Sequence, residues 1–404
     1  MDKNIITTTK QALDYFNDEL VAKKISNDLQ IGYLAENPLL SLMGTGKNRA
    51  IRTIISNTLN PLTIPLGGLI DGDAQYGNTH MFSELSEISF LSQQFTPQVL
   101  TKAVQLEIEP YRARTGLDYV AEAKRQLSDW LGEHTLKTQM ANLTHNFTNA
   151  VFADKTNGVK TPSQNQKISA VCKTIEADDF LTLAVLERAI DMARDGEYYD
   201  GDNKKGFTLD PIKLSKQNLG AGGAEYIQED YIIVISRTQE RQLLKDPRYV
   251  ALYEQAVARG DNHPYLTGFR VRVKGCPLMV MKNWDGENGG GMPNSHTDQD
   301  IINKYLKNLP DDTIKPLSDY KGSGNCKVAI GCLLGASALV HIADQEVKTY
   351  IKEHPQDPRK LMIGIQKILV AEKVRFFASN KANKNPRNGK DYGVIGIFSS
   401  GAEV

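Results

Sequence analysis

The chain has 404 residues, 40% of them apolar and 24% charged, with 48 basic side chains set against 48 acidic ones. That length allows a sizeable buried core without disulfide staples, and the zero net charge lacks the basic excess of a strong electrostatic nucleic-acid binder. The four cysteines, Cys172, Cys276, Cys326 and Cys332, form no CxxC pair; this argues against a zinc ribbon and points to buried, reduced thiols.

The opening "MDKNIITTTKQAL" has no apolar core of signal-peptide length, and no run of eighteen apolar residues occurs. No membrane-spanning helix is expected. The expected setting is a cytoplasm-like compartment, or release from it by lysis. Residues 1–58 are polar and mixed, and read as an arm that gains order from a partner. "PLTIPL" reads as a strand and leads into "LGGLIDGDAQYGN", residues 66–78. The run 86–110 then alternates, with Val104, Leu106 and Ile108 on one face and Gln105, Glu107 and Glu109 on the other, as a half-buried strand does. Together these runs predict a long β-excursion with a glycine-rich middle.

A helix is predicted from Gly116 to about His134 or beyond, with Thr115 and Asp118 as a capping-box-like start and Leu117, Val120, Ala121, Leu127 and Leu131 at helical spacing. A second is predicted from Asp178 and Asp179, whose charges suit the positive end of a helix dipole. "DYIIVIS" reads as a buried strand. "RTQERQLLKDPRYVALYEQAVARG" reads as helix, proline break and helix, and "FRVRVKGCPLMVMKN" as strand, turn and strand. Residues 285–325 form a long polar connection. "CKVAIGCLLGASALVHIA" returns to apolar character. "IGIQKILVAEKVRFFAS" and "DYGVIGIFSS" close the chain as strands around the basic loop "NKANKNPRNGKD". Strands and helices mix without regular βαβ alternation and without internal repeats, which reads as α+β.

No catalytic or cofactor motif is intact. The 66–78 loop lacks the lysine and following helix of a phosphate cradle, and the closing glutamate of a calcium loop. A hairpin tip is the expected reading. Asp285, Glu287, His296 and Asp298 offer metal-type ligands, but three consecutive glycines make a poor frame for a preorganised centre. There is no HExxH and no GxSxG, and His341 on its apolar stretch reads as a core histidine. The basic 380–390 loop reads as a solvated hairpin tip, with a weak phosphate contact as the alternative. Catalytic, cofactor and metal residues are therefore all expected to be none. A polar arm and a long exposed hairpin need burial against something, and copies of the same chain are the simplest source.

The order of these segments resembles the major capsid proteins of tailed phages, specifically the N4-like family with the HK97 fold. The resemblance runs through "LTIPLGGLIDGDAQYGN", "VQLEIEPYRARTGLDYVAEAKRQLSDWLGE", the "YIIVISRTQERQLL…VMKN" stretch, "IGCLLGASALVHIA" and the two closing strands. It implies an N-terminal arm (1–58), an extended E-loop hairpin (59–112), a peripheral (P) domain with a long spine helix (113–200), an axial (A) domain (201–345) and return strands to the P-domain (346–404). It implies no enzymatic activity and no cofactor. It implies self-assembly as hexamers and pentamers into the icosahedral head of a tailed double-stranded DNA phage. The implied partners are portal, scaffold and decoration proteins and packaged DNA held non-specifically, with no membrane, in a virion assembled in the host cytoplasm. Gly67, Gly68, Gly72, Asp73, Tyr76 and Gly77 at the hairpin tip are the candidate inter-subunit contacts. The alternatives are an encapsulin-type cellular compartment and a cation-dependent hydrolase built on Asp285, Glu287, His296 and Asp298.

Overall fold

The structure is a computed structural model and describes residues 38–67, 90–107, 119–160, 168–197, 207–218, 225–258, 269–281, 322–378 and 387–402. In chain order the elements begin with β1 (Met43–Gly44), β2 (Ile51–Ile55), β3 (Leu62–Gly67), β4 (Phe90–Phe95) and β5 (Gln98–Glu107). Helix α1 (Tyr119–Thr144) is followed by β6 (Ala150–Asp154), β7 (Gly158–Val159), α2 (Ile168–Cys172) and α3 (Leu183–Asp195). Next come β8 (Lys213–Asn218), β9 (Glu225–Asp230), β10 (Ile232–Ser236), α4 (Arg237–Leu243) and α5 (Pro247–Ala258). The chain continues through β11 (Phe269–Val273), β12 (Cys276–Met281), β13 (Val328–Leu334) and β14 (Leu339–Ala343). It closes with β15 (Lys348–His354), β16 (Asp357–Lys373), β17 (Phe377–Ala378) and β18 (Val394–Ser400).

The 17-residue strand β16 is the axis of one sheet. Its second half pairs antiparallel with β14, which takes β2 in parallel on its other edge. Its first half lies between β15 and β5, both antiparallel. A second sheet runs β11-β12-β10-β13-β18-β6-β7. It draws on segments 113–200, 201–345 and 346–404 alike, because β18 lies between β13 and β6. The alternating run therefore divides: β3 and β4 form the hairpin, while β5 joins the β16 sheet, where Val104 and Leu106 pack on the core as their parity predicts. Strands β6 and β15 and helix α2 carry no signal that the sequence pattern picked out.

Helix α1 joins the two sheets. Its first half lays Ala123, Leu127 and Leu131 over Leu100, Ile363, Ile365 and Leu369. Its second half enters a core lined by Leu339 and Ala371 of one sheet and Ile330 and Phe398 of the other. There every residue from Thr135 to His145 is buried, so an amphipathic stripe cannot mark the helix. The polar residues stay satisfied by bonding back one turn: Thr135 to Leu131 O, Thr138 to His134 O, Asn142 to Thr138 O and Thr144 to Met140 O, all at 2.8–2.9 Å. This is why the helix extends ten residues past the point where its sequence pattern fades. Its expected start, with Thr115 and Asp118, lies outside the described residues.

The second expected helix begins later than its aspartates. It starts at Leu183 with Thr182 as an extended N-cap residue, and Asp178 and Asp179 lie in the preceding turn. Asp179, 1% exposed, accepts from the Lys155 and Glu176 N–H groups and from Lys160 Nζ at 2.8–2.9 Å. Three local donors outweigh a dipole contact for a buried carboxylate. The helix ends at Gly196, whose left-handed φ of 71° lets its N–H reach Met192 O. The cysteines are all free thiols; Cys172, Cys276 and Cys332 are buried and Cys326 is half-buried, donating to Ile175 O.

Candidate functional site

The hairpin β3–β4 is seated on the β14–β16 sheet. Leu91 and Phe95, both fully buried, pack with Val340, Ile342, Val370, Val374 and Phe376, while Leu62, Ile64 and Leu66 close the same face. The opposite face shows Thr63, Pro65, Ser92 and Gln94 to solvent. Phe377, 53% exposed, stands beside Ser92 on β17. Gln93 pins the hairpin to the end of β16, donating to Lys373 O at 3.0 Å and accepting from the Arg375 N–H at 2.6 Å.

Directly behind that pin lies a buried ionic node. Lys373 Nζ donates to His145 O at 2.6 Å, stands 4.3 Å from the Phe147 ring centre and is 3.5 Å from Asp391. Arg375 bonds Asp391 and donates to Asn146 O at 2.6 Å. Asp391 also accepts from the Thr148 N–H at 2.9 Å. Burial pushes the Asp391 carboxyl up, but Lys373 and Arg375 outweigh it and hold the group below the usual carboxylate range. Burial lowers Lys373 to about 8. Burial, with Lys373 close by, lowers His145 to about 3, so its ring is neutral at ordinary pH and Nδ1–H donates to Ala141 O at 2.7 Å. Glu372, on the hairpin side of β16, is raised to about 7 by burial alone.

A second node lies further back along β16. Lys367, 1% exposed, is 3.5 Å from the Asp344 carboxylate and donates to Asp344 O at 3.3 Å. Burial lowers Lys367 and raises Asp344. His341, also 1% exposed and lowered to about 3 by burial, meets the Gln139 amide at 3.3 Å. His341 is thus a core histidine, as its apolar stretch suggests. Lys367 and Lys373 were not singled out from the sequence. The signal was present: they occupy the buried parity of Ile363, Ile365, Leu369 and Ala371 on β16.

Where α4 meets the second sheet, neutral groups make the fastening instead. Ser236 ends β10 and caps α4 in a reciprocal box with Gln239. Gln239, fully buried, also donates to Ala329 O, Ile397 O and Ser399 Oγ at 3.2–3.4 Å. Gln242 donates to Ser400 O at 2.7 Å and accepts from the Leu181 N–H at 2.9 Å. Gly331 is required beneath this clamp, since a Cβ there would lie 2.8 Å from Gln239 Oε1.

Of the candidate contact residues, Gly67 closes β3 opposite Phe90. Gly68, Gly72, Asp73, Tyr76 and Gly77 lie outside the described residues, as do Asp285, Glu287, His296 and Asp298. Among the described residues no cluster of His, Cys, Asp or Glu is placed to hold a metal, and no helix is long and apolar enough to cross a membrane.

The described residues thus form two sheets joined by α1, with the β3–β4 hairpin anchored on one of them. Residues 6–403 match the family described as phage capsid protein. The chain belongs to the phage capsid protein family. This capsid protein is 26% identical over 388 residues to the major structural protein ORF14 of Helicobacter pylori bacteriophage KHP30, covering 93% of this chain and 94% of that relative. Its fold matches the acidic stable capsid structure of the same phage with a TM-score of 0.71 and 25% identity, over 90% of this chain and 91% of that one. The capsid of cyanophage Pam1 matches at 0.65 with 14% identity, over 92% and 94% of the two chains, which shows a shared fold alone. The capsid protein is thus a structural component of a phage virion, with an α+β fold that phage capsids share. Membership of a structural family implies a non-enzymatic role.

Proposed function

We propose that this capsid protein is the shell-forming major subunit of an icosahedral tailed-phage head, an N4-like member of the HK97 fold. The observation that carries this reading is likeness to the KHP30 capsid over nine-tenths of the chain. Copies associate as hexamers and pentamers, assembled in the host cytoplasm without a membrane. Portal, scaffold and decoration proteins are the accessory partners, and double-stranded DNA is enclosed non-specifically. The arm is residues 1–58, the E-loop 59–112, the P-domain 113–200 with its return strands 346–404, and the A-domain 201–345.

The mechanism is self-association. A hairpin whose base is pinned by Gln93 and packed through Leu91 and Phe95 transmits force to the body without being remodelled. Its tip, with Gly67, Gly68, Gly72, Asp73, Tyr76 and Gly77, contacts a neighbouring copy, the glycines allowing slightly different bends in hexamer and pentamer settings. Zero net charge limits repulsion between closely packed copies. Negative-stain microscopy of the expressed protein tests this reading: shells, capsomers or tubes are expected. A monomer that stays dispersed under all conditions, with and without its scaffold, overturns it.

A further inference from the structure

Residues 37–70 contain no aspartate or glutamate, yet hold three cations, Lys47, Arg49 and Arg52. The structure gathers these at one corner of the β16 sheet. Strands β1 and β2 are parallel, and residues 45–49 of their connection are all exposed. The turn between β13 and β14 holds this loop in place. Ser337 donates from its N–H to Arg49 O at 2.7 Å and from Oγ to Lys47 O at 2.9 Å. It does so with a left-handed φ of 51°, a strained setting for a residue other than glycine.

Two glycines then aim Arg49. A Cβ on Gly44 would lie 2.9–3.2 Å from Arg49 Cγ, Cδ and Nε, and one on Gly46 would lie 4.0 Å from Cγ. The Arg49 stem therefore lies back over β1 instead of running out into solvent. Gly44 is the register partner of Arg52 on β2, and register partners share a face. The Arg49 stem and Arg52 thus meet on one face, one strand spacing of about 5 Å apart. Arg52 Nε is buried without a hydrogen bond. Among the described residues the side chains of Lys47, Arg49 and Arg52 have no hydrogen-bond or ion-pair partner. The carboxylate in the same row is Glu372, two strands from Arg52 across Val340 and so about 10 Å away. Burial raises that carboxyl with no cation opposing it. Two arginines held side by side without a counter-ion suit an anion between them. A carboxylate offsets one of them, whereas the several oxygens of a phosphate can take both guanidinium forks at once.

We propose that Arg49 and Arg52, with Lys47 beside them, form a binding site for phosphate groups. Two sources carry that chemistry, the backbone of duplex DNA and the free ion. The site rests on its own geometry; its filling by DNA rests on the proposed DNA-enclosing head.

Full-length protein, kept unassembled at low salt, is titrated with a labelled duplex and separately with inorganic pyrophosphate. Arg49→Ala and Arg52→Ala are each expected to weaken binding of both probes several-fold. Each also lowers the slope of log duplex affinity against log salt by about 1. Gly44→Ala keeps every charge but puts a methyl where the Arg49 stem lies, and weakens both probes too. Arg125→Ala removes the same charge from an arginine already paired with Glu122 and Asp129, and changes neither. Wild type that binds neither probe, equal losses in Arg49→Ala and Arg125→Ala, or no loss in Arg49→Ala overturns the site. Loss for pyrophosphate alone assigns the site to the free ion and overturns its filling by DNA, whatever microscopy shows of shells. Unchanged binding of both probes with weakened self-association in Arg49→Ala places the cations against a neighbouring copy and overturns phosphate binding. Arg49 is exposed and Arg52 half-buried, so Arg49→Ala keeps the test decisive should Arg52→Ala disturb folding.

Discussion

The end of β16 and the seat of α4 are fastened by opposite chemistry. At the end of β16, buried ions meet: Lys373, Arg375 and Asp391, with neutral His145 alongside and Lys367, Asp344 and His341 nearby. In the seven-stranded sheet, uncharged Gln239 and Gln242 reach across β13 and β18. Amides hold their hydrogen bonds at any pH, whereas a buried ion or a buried neutral histidine ties stability to proton concentration. The hairpin is attached to the ionic side through Gln93, so pH is expected to act on the seat of the hairpin before it acts on the seat of α4.

The largest expected effect is acid destabilisation. His145 and His341 have folded pKa values of about 3 against an ordinary 6.5. The unfolded chain takes up protons first, so stability is lost as pH falls from about 6.5 to about 3, by at most about 5 kcal/mol per histidine. Glu372 works the other way: raised to about 7 from 4.5, it favours the folded state at low pH and loses that contribution as pH rises from about 4.5 to about 7. Chemical denaturation across this range in a Glu372→Gln background removes that opposing contribution, and a flat profile there would break the comparison. Next, Asp391→Ala leaves Lys373 and Arg375 buried without their carboxylate and is expected to cost about 3–5 kcal/mol, read from the denaturation midpoint. Gln239→Leu strips partners from the Ser236 N–H, Ala329 O and Ile397 O. A loss of about 1–3 kcal/mol is expected, with the same value at pH 5 and pH 8; a strong pH dependence would erase the distinction between the two sheets. Smallest, Arg125→Ala removes exposed contacts to Glu122 and Asp129 and is expected to leave the midpoint unchanged, since solvent screens such pairs.

Legibility followed the range of the interaction. The α4–turn–α5 pattern, the β11–β12 hairpin and the parity of Val104 and Leu106 were readable because helix and strand periods are properties of neighbouring residues. The start of α3 was misplaced because Asp179 answers to Lys155, Glu176 and Lys160 rather than to a helix dipole. The glycine-rich hairpin tip could be read as a turn that lacks ligand chemistry, but what it touches depends on a surface absent from its own sequence.

By itself the sequence determined an α+β chain with intact strand and helix periods, a balanced charge and no catalytic motif, and its segment order carried a resemblance to capsid proteins. Only the tertiary structure decided that α1 continues to Thr144 between two sheets, that β5 leaves the hairpin for β16, and that Lys367 and Lys373 are core residues. The physical reason is distance along the chain: a lysine is buried only when acceptors come to it. Those of Lys373 are His145, 228 residues away, and Asp391 on the following segment.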